Sequence, residues 1–192
     1  QVPQDILSDC AGIFSSSANQ LDIDDELIYE NELEVPEELS VFLRNFLEKS
    51  YYKTKTGRHI EHRPGMINFS VVGRNASQEE REEYYKWDSR SLERKKLAVS
   101  LMANFPGFDA KIGGEISIDV YPTEYDKRQS VSYIKENHPN GKIRFFGDRT
   151  GQYGNDYSVV ISLKEGDRFH TVMNYFQTRD LITDYLRGKS FE

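Results

Sequence analysis

The stretch Arg63-Pro-Gly-Met-Ile-Asn-Phe-Ser-Val-Val-Gly-Arg74-Asn-Ala-Ser-Gln-Glu-Glu-Arg81 holds a strand, a connection and a helix start in one short span. Ile67, Phe69 and Val71 alternate with Met66, Asn68, Ser70 and Val72, the two-residue period of a strand. Ser77-Gln-Glu-Glu80 has the form of a capping box, in which a hydroxyl and a carboxylate satisfy the first free amides of a helix. Arg63 precedes the strand, Arg74 sits in the connection, and Arg81 lies one turn into the helix. Three permanently charged, fork-shaped donors near a helix N-terminus suit a phosphate. Spacing alone leaves a second reading open, in which they are solvated arginines paired with Glu79, Glu80, Glu82 and Glu83.

Composition bounds what lies around this stretch. The chain has 192 residues, 30% of them charged and 37% apolar, with a net charge of -7. That suits a globular protein of one large domain or two small ones. An acidic balance argues against a nucleic-acid partner, which needs a basic surface. It leaves room for a small phosphorylated ligand, which needs only a local basic pocket. Cys10 is the single cysteine, so no internal disulfide forms and a reducing, cytoplasmic setting is expected. No apolar run approaches about 18 residues, so no membrane span is expected, and no secretory signal is recognised. Residues 1–8 show no period.

Elsewhere the pattern predicts a hairpin over 21–29 turning at Asp24-Asp25, and a helix from Pro36 to Tyr51 with a Leu39, Phe42, Leu43, Phe46 and Leu47 stripe. The helical region from Gln78 is expected to break at Asp88, which offers a fresh cap. A single strand is expected over 111–121, with Ser117, Asp119 and Tyr121 on one face and Ile116, Ile118 and Val120 on the other. Asp126 caps a helix through Val131 and Ile134. Ile143–Phe146, Ser158–Ile161 and Thr171–Met173 read as strands, and Thr178–Leu186 as a terminal helix. Strand-helix alternation after Asp126 fits a Rossmann-like layer, whereas 34–122 fits an antiparallel sheet covered by helices.

Several residues carry chemistry. Asp148 ends an apolar strand and precedes the loop Gly151–Gly154, a position suited to magnesium; an ordinary Gly-Asp turn is the alternative. Ser117 and Asp119, two apart on a strand, point the same way and could bind vicinal hydroxyls, or could line a solvated face. Gly113-Gly114 permits close backbone approach, or marks a bulge. His59, Glu61 and His62 do not all share a strand face, which argues against a metal site there.

Three segments, Arg63–Arg81, Ile112–Arg128 and Phe145–Asp156, resemble the eukaryotic-type phosphomannomutase family of the haloacid dehalogenase-like (HAD) superfamily, in order and in spacing. The resemblance implies an α/β fold: a partial Rossmann-like HAD core with an inserted α+β cap domain. It implies core segments at 1–33 and 123–192 and a sugar-phosphate-binding cap at 34–122. It implies that Arg63, Arg74, Arg81, Ser117 and Asp119 bind substrate and that Lys127 neutralises the transferring phosphate. Asp148 would ligate Mg2+, supported by Asn155 and Asp156. A further ion site is poorly matched, with Ser162 near where an acid is expected. The implied partners are mannose 1-phosphate, mannose 6-phosphate and hexose 1,6-bisphosphate, with a homodimer through the cap, although His59 and His62 stand where that contact would be apolar. The family's nucleophile motif, Asp-x-Asp-Gly-Thr, does not occur in these residues; Asp22-Ile-Asp24 mimics it superficially but reads as a hairpin edge. A non-catalytic sugar-phosphate binder and a HAD sugar phosphatase are the alternatives.

Overall fold

A computed structural model describes residues 10–188. Those parts of the expected end segments that lie at 1–9 and 189–192, including the unpatterned start, are outside the described residues. Strands β1 (Ile13–Ser15), β2 (Gln20–Ile23) and β3 (Glu26–Glu30) form a small antiparallel sheet. The β2–β3 turn falls at Asp24-Asp25, both at positive φ, as the sequence predicts. Helix α1 (Glu37–Lys49) follows Pro36 and buries Leu39 and Leu43.

Four strands make the principal sheet: β4 (Ile60–Arg63), β5 (Met66–Ser70), β6 (Phe108–Gly113) and β7 (Ser117–Pro122), in the order β4-β5-β7-β6, all antiparallel. The pleat sorts its residues onto two faces. Ile67, Phe69, Ile118, Val120 and Ala110 face α1, α2 (Gln78–Ser91) and α3 (Glu93–Asn104), and pack with Leu39, Leu43, Tyr84, Leu97 and Leu101 into one apolar core. Tyr52, Tyr84 and Trp87 pack edge-to-face and tilted against one another, and Trp87 joins the core as a partly buried residue. All five residues of β5 are buried, those on the polar face, Met66, Asn68 and Ser70, included.

Two expectations need correction here. The stretch 111–121 is not one strand but the β6–β7 hairpin. Gly114 takes φ +51° in the turn, and a Cβ on Gly113 would come within 2.6 Å of Asp119 Oδ2. Gly114 supplies the positive φ of the turn over 114–116, and Gly113, the last residue of β6, leaves room for Asp119. The α2–α3 break falls at Leu92, in the left-handed region at φ 55°, not at Asp88. Asp88 still caps α3, from the last turn of α2. Its Oδ1 accepts the Arg94 amide (2.9 Å), and its Oδ2 accepts Arg94 Nε (2.8 Å). Arg94 Nη1 then donates to the carbonyls of Gly114 and Ser117, tying the helix break to the hairpin turn.

Beyond the sheet, α4 (Arg128–Asn137), β8 (Arg144–Gly147), α5 (Tyr157–Ser162), β9 (Arg168–Thr171) and α6 (Tyr175–Leu186) complete the described chain. Strands β8 and β9 are parallel, which requires a crossover between them. That constraint overrides the β-branched run Val159-Val160-Ile161: the segment expected as a strand is the crossover helix α5. The final strand lies three residues earlier than expected for the same reason, because it must align with β8. Among the described residues no helix is long and apolar enough to cross a membrane.

Asp167 fastens this crossover. Its Oδ1 accepts the Ile143 amide and Lys135 Nζ, and its Oδ2 accepts the Lys164 amide. The Ile143 hydrogen bond and Lys135, with the Lys164 amide, outweigh burial and lower its pKa to about 2. A depressed carboxylate stabilises the fold above its unfolded pKa, near 4, and loses that contribution as pH falls towards 2. Urea unfolding between pH 5 and pH 2 is expected to show Asp167→Asn less stable than the wild type at pH 5, with the gap closing as the wild-type Asp167 protonates. A gap independent of pH would contradict the assignment.

Candidate functional site

The polar face of the principal sheet gathers Arg63, Arg74, Ser117 and Asp119 of the residues singled out in the sequence. Strand pairing sets Glu61 opposite Asn68, Asn68 opposite Asp119, and Asp119 opposite Lys111, so these four form one row across the face. Adjacent rows hold Ser70 opposite Ser117, and Arg63 opposite Met66. Directly opposed side chains on neighbouring strands lie close enough to interact.

The arginines converge, though not as the sequence reading pictured. Arg63 Nη2 donates to Glu61 Oε2 at 2.6 Å, and Arg74 Nε lies 3.1 Å from the same oxygen. Burial acts to raise the Glu61 pKa, but Arg63, Arg74 and Arg58 outweigh it and hold the carboxyl below its ordinary range. Arg81 does not point at them. Its Nε donates to the Ala76 carbonyl and its Nη2 to the Arg74 carbonyl, bracing the segment that presents Arg74. The capping box forms as read: Ser77 Oγ accepts the Glu80 amide and Glu80 Oε2 accepts the Ser77 amide. The acids around Arg81 are therefore not its partners.

Asp119 is the junction of the site. It is buried, at 6% exposure, and its two oxygens are divided. Oδ1 accepts Asn68 Nδ2 at 2.7 Å from the neighbouring strand. Oδ2 accepts Asn155 Nδ2 at 3.1 Å from the loop after β8. Ser117 turns its hydroxyl inward to the Gly113 carbonyl, at 3.0 Å. Two more buried polar atoms on this face, Asn68 Oδ1 and the Tyr121 hydroxyl, find no hydrogen-bond partner among the described residues. Asn68 was missed in the sequence. Its signal was an amide in the centre of the otherwise apolar run Met66–Phe69. Glu61 was missed as the arginines' partner, although it lies two residues before Arg63 and so on the same strand face.

The loop carrying Asn155 joins this face to a second centre. Ile112 donates its amide to the Tyr153 carbonyl (2.9 Å), and Arg149 Nη2 donates to the Gly114 carbonyl (2.9 Å). One residue further, Asp156 is buried and accepts Lys127 Nζ at 2.5 Å and the Arg149 amide at 3.0 Å. Lys127 is the N-cap of α4, and Asp126, one residue before it and not the cap itself, accepts the Arg128 amide on its Oδ1. Lys127, Gly147, Asp148 and Asp156 line a cavity of about 380 Å³, with Asn174 and Thr178 opposite. Asp148, at the end of β8, is well exposed, and its nearest cation is Arg149 Nε at 3.6 Å. A larger open hollow, about 540 Å³, lies between β3 and α4 beside Tyr29 and Tyr133; Glu124 and Arg128 line it, but none of the residues expected to bind substrate or metal does.

Thus Asp148, Asp156 and Lys127 share one cavity, and Arg63, Arg74, Ser117 and Asp119 share one sheet face. Asn155 links the two through Asp119 and does not line the cavity. His59 Nδ1 is occupied by the Ser70 carbonyl at 2.9 Å, and no group of three or more His, Cys, Asp or Glu residues is placed to hold a metal among the described residues.

The arrangement is an α/β fold. It is similar to the solved structure of a HAD subclass IIB sugar phosphatase, with a TM-score of 0.53 and 13% identity over 95% of this chain and 78% of that one. The narrower assignment comes from sequence. Residues 18–187 match the family described as eukaryotic phosphomannomutase, and the chain belongs to that family. It is 36% identical to the phosphomannomutase of Saccharomyces cerevisiae over 148 residues, covering 76% of this chain and 57% of that one. It is 40% identical to that of Spinacia oleracea over 137 residues, covering 70% and 53%. The chain therefore spans about half the length of these curated relatives.

The Asn155–Asp119 bond is a charge-assisted contact between loop and sheet, of a kind that contributes about 1.5–3 kcal/mol. Asn155→Ala is expected to speed hydrogen exchange of the Ile112 amide by roughly 10- to 100-fold, while core amides such as that of Val120 keep their protection. Unchanged exchange at Ile112 would show that the loop is held by other contacts.

Proposed function

We propose that this chain forms the sugar-phosphate-binding face and part of the phosphoryl-transfer centre of a phosphomannomutase, interconverting mannose 6-phosphate and mannose 1-phosphate. The observation that carries the reading is the row in which Glu61, met by Arg63 and Arg74, stands opposite Asn68 and Asn68 bonds Asp119, which in turn bonds Asn155, the sequence neighbour of the Asp156 that holds Lys127. Two guanidinium groups at one end suit the phosphate that is not reacting. Asp119 and Ser117 suit sugar hydroxyls, once their internal hydrogen bonds are exchanged for ligand. Lys127, a compact point charge, suits the transferring phosphate.

In this reading the cavity is the magnesium site. Asp148 offers hard oxygen donors of the kind Mg2+ takes together with water and substrate phosphate, and Asn155 and Asp156 support it, the Asp156 oxygens being engaged by Lys127 and the Arg149 amide. When bound, Mg2+ would neutralise phosphoryl oxygens. Lys127 holds Asp156 in place and adds a second positive charge. In this reading the bridge through Asn155 keeps the sugar-binding face in register with that cavity.

A phosphoaspartyl route through hexose 1,6-bisphosphate also needs a nucleophilic carboxylate in the Asp-x-Asp-Gly-Thr context. These 192 residues contain no such motif. The mutase activity is therefore proposed for a protein that joins this chain to such a motif, in the cytoplasm, with two copies meeting across the edge strand β4 of the cap. The division into core at 1–33 and 123–192 and cap at 34–122 belongs to the same proposal.

Calorimetric titration with mannose 1-phosphate and Mg2+ tests the binding face directly. Arg63→Ala and Arg74→Ala are each expected to weaken binding by roughly 10- to 100-fold, the loss of a charge-assisted hydrogen-bonding arginine. Affinity that both variants leave unchanged would remove the clamp. Product analysis of the motif-bearing protein separates a mutase, giving mannose 6-phosphate, from a phosphatase, giving inorganic phosphate.

A further inference from the structure

We propose that Glu61 is a positioning residue, which draws Arg63 and Arg74 together into one two-pronged receptor for a phosphate monoester. This rests on the sugar-phosphate reading of the face and assigns a role to a residue outside the expected set. Three facts support it. Both guanidinium groups meet a single atom, Glu61 Oε2, at 2.6 and 3.1 Å. They arrive from different places: Arg63 is two residues away on β4, whereas Arg74 reaches in from the connection after β5, where its amide donates to the Arg58 carbonyl. And Glu61 stands in the same row as Asn68 and Asp119, two strand spacings from Asp119, or about 10 Å.

Without a carboxylate between them, two like charges repel, and each arginine regains the freedom of a long side chain. With it, Arg63 commits one N–H to Glu61, Arg74 is held beside it as an ion pair with its Nε 3.1 Å from the same oxygen, and both keep the remaining donors of their forks. Two partly committed forks held side by side form a preorganised anion receptor, which lowers the ordering cost of binding. The ion pairs are about 30% exposed at each member, so their contribution to stability is small. Their effect is on geometry. Arg81 completes the device by fixing the carbonyl of Arg74, so the backbone that presents this side chain is held as well.

The test uses the 15N-labelled chain and observes the Nε–Hε signals of Arg63 and Arg74 by NMR, alone and with inorganic phosphate or mannose 1-phosphate. In the wild type the Arg74 signal is expected to be shifted from that of a solvent-exposed arginine by the Glu61 carboxylate beside it. Glu61→Gln should move it to the position of a solvent-exposed arginine and weaken mannose 1-phosphate binding at least fivefold, at an unchanged melting temperature. Glu61→Asp, which keeps the charge, should recover part of both. An Arg74 signal unaltered in Glu61→Gln overturns the proposal, as does binding equal to or tighter than wild type, which would make Glu61 a competitor of the phosphate. If neither phosphate compound binds the wild type, the sugar-phosphate reading fails, while the Arg74 signal still decides whether Glu61 positions the arginines.

Discussion

A buried carboxylate must be fully hydrogen-bonded or it destabilises the fold that contains it. Asp119 meets that requirement by serving two parts of the chain at once, Asn68 within the sheet and Asn155 on the loop beyond β8. Much else follows from this sharing. Gly113 must lack a side chain, because a Cβ there would collide with Asp119. The β6–β7 hairpin must turn tightly, and its Gly114 carbonyl is held by Arg94 on one side and Arg149 on the other. The loop is thereby fixed at both ends of its contact with the sheet. Asp156, next to Asn155, is brought into the cavity with Lys127. One acidic residue thus links the strand that reads as sugar-binding to the loop that reads as phosphoryl-handling.

The two faces of the principal sheet divide the work. The apolar face, closed by α1, α2 and α3, supplies the hydrophobic stabilisation of the fold. That leaves the other face able to carry Glu61, Arg63, Asn68, Ser117 and Asp119, whose burial would otherwise be costly. The unpaired Asn68 Oδ1 and Tyr121 hydroxyl lie on this face, not within the apolar core. Local stability is conceded where a ligand is expected to bind, a common pattern at functional sites.

Most of the fold could be read from the sequence because local signals agreed with tertiary demands. The capping box at Ser77–Glu80, the turn at Asp24-Asp25, the α1 stripe and the Ser117–Tyr121 alternation each encode their own geometry. The failures share a cause. The 111–121 stretch reads as one strand because alternation continues through Ile116, although Gly114-Glu115-Ile116 forms the turn of a hairpin. Val159-Val160-Ile161 has strand composition, but parallel pairing of β8 with β9 leaves it only the crossover. Leu92, not Asp88, marks the helix break, since a capping side chain can reach forward from the preceding turn. At the site, the residue types were legible and their partners were not. Arg81 spaced like a ligand contact but braces backbone, while Glu61 and Asn68 became visible only once strand register set them beside Arg63 and Asp119.

A structure of the chain with mannose 1-phosphate bound tests the central claim most directly. The account predicts the phosphate within hydrogen-bond distance of both Arg63 and Arg74. It also predicts a sugar hydroxyl on Asp119, in place of at least one of its present amide partners. A ligand seated elsewhere, or an Asp119 still closed by Asn68 and Asn155 with the ligand bound, would contradict it.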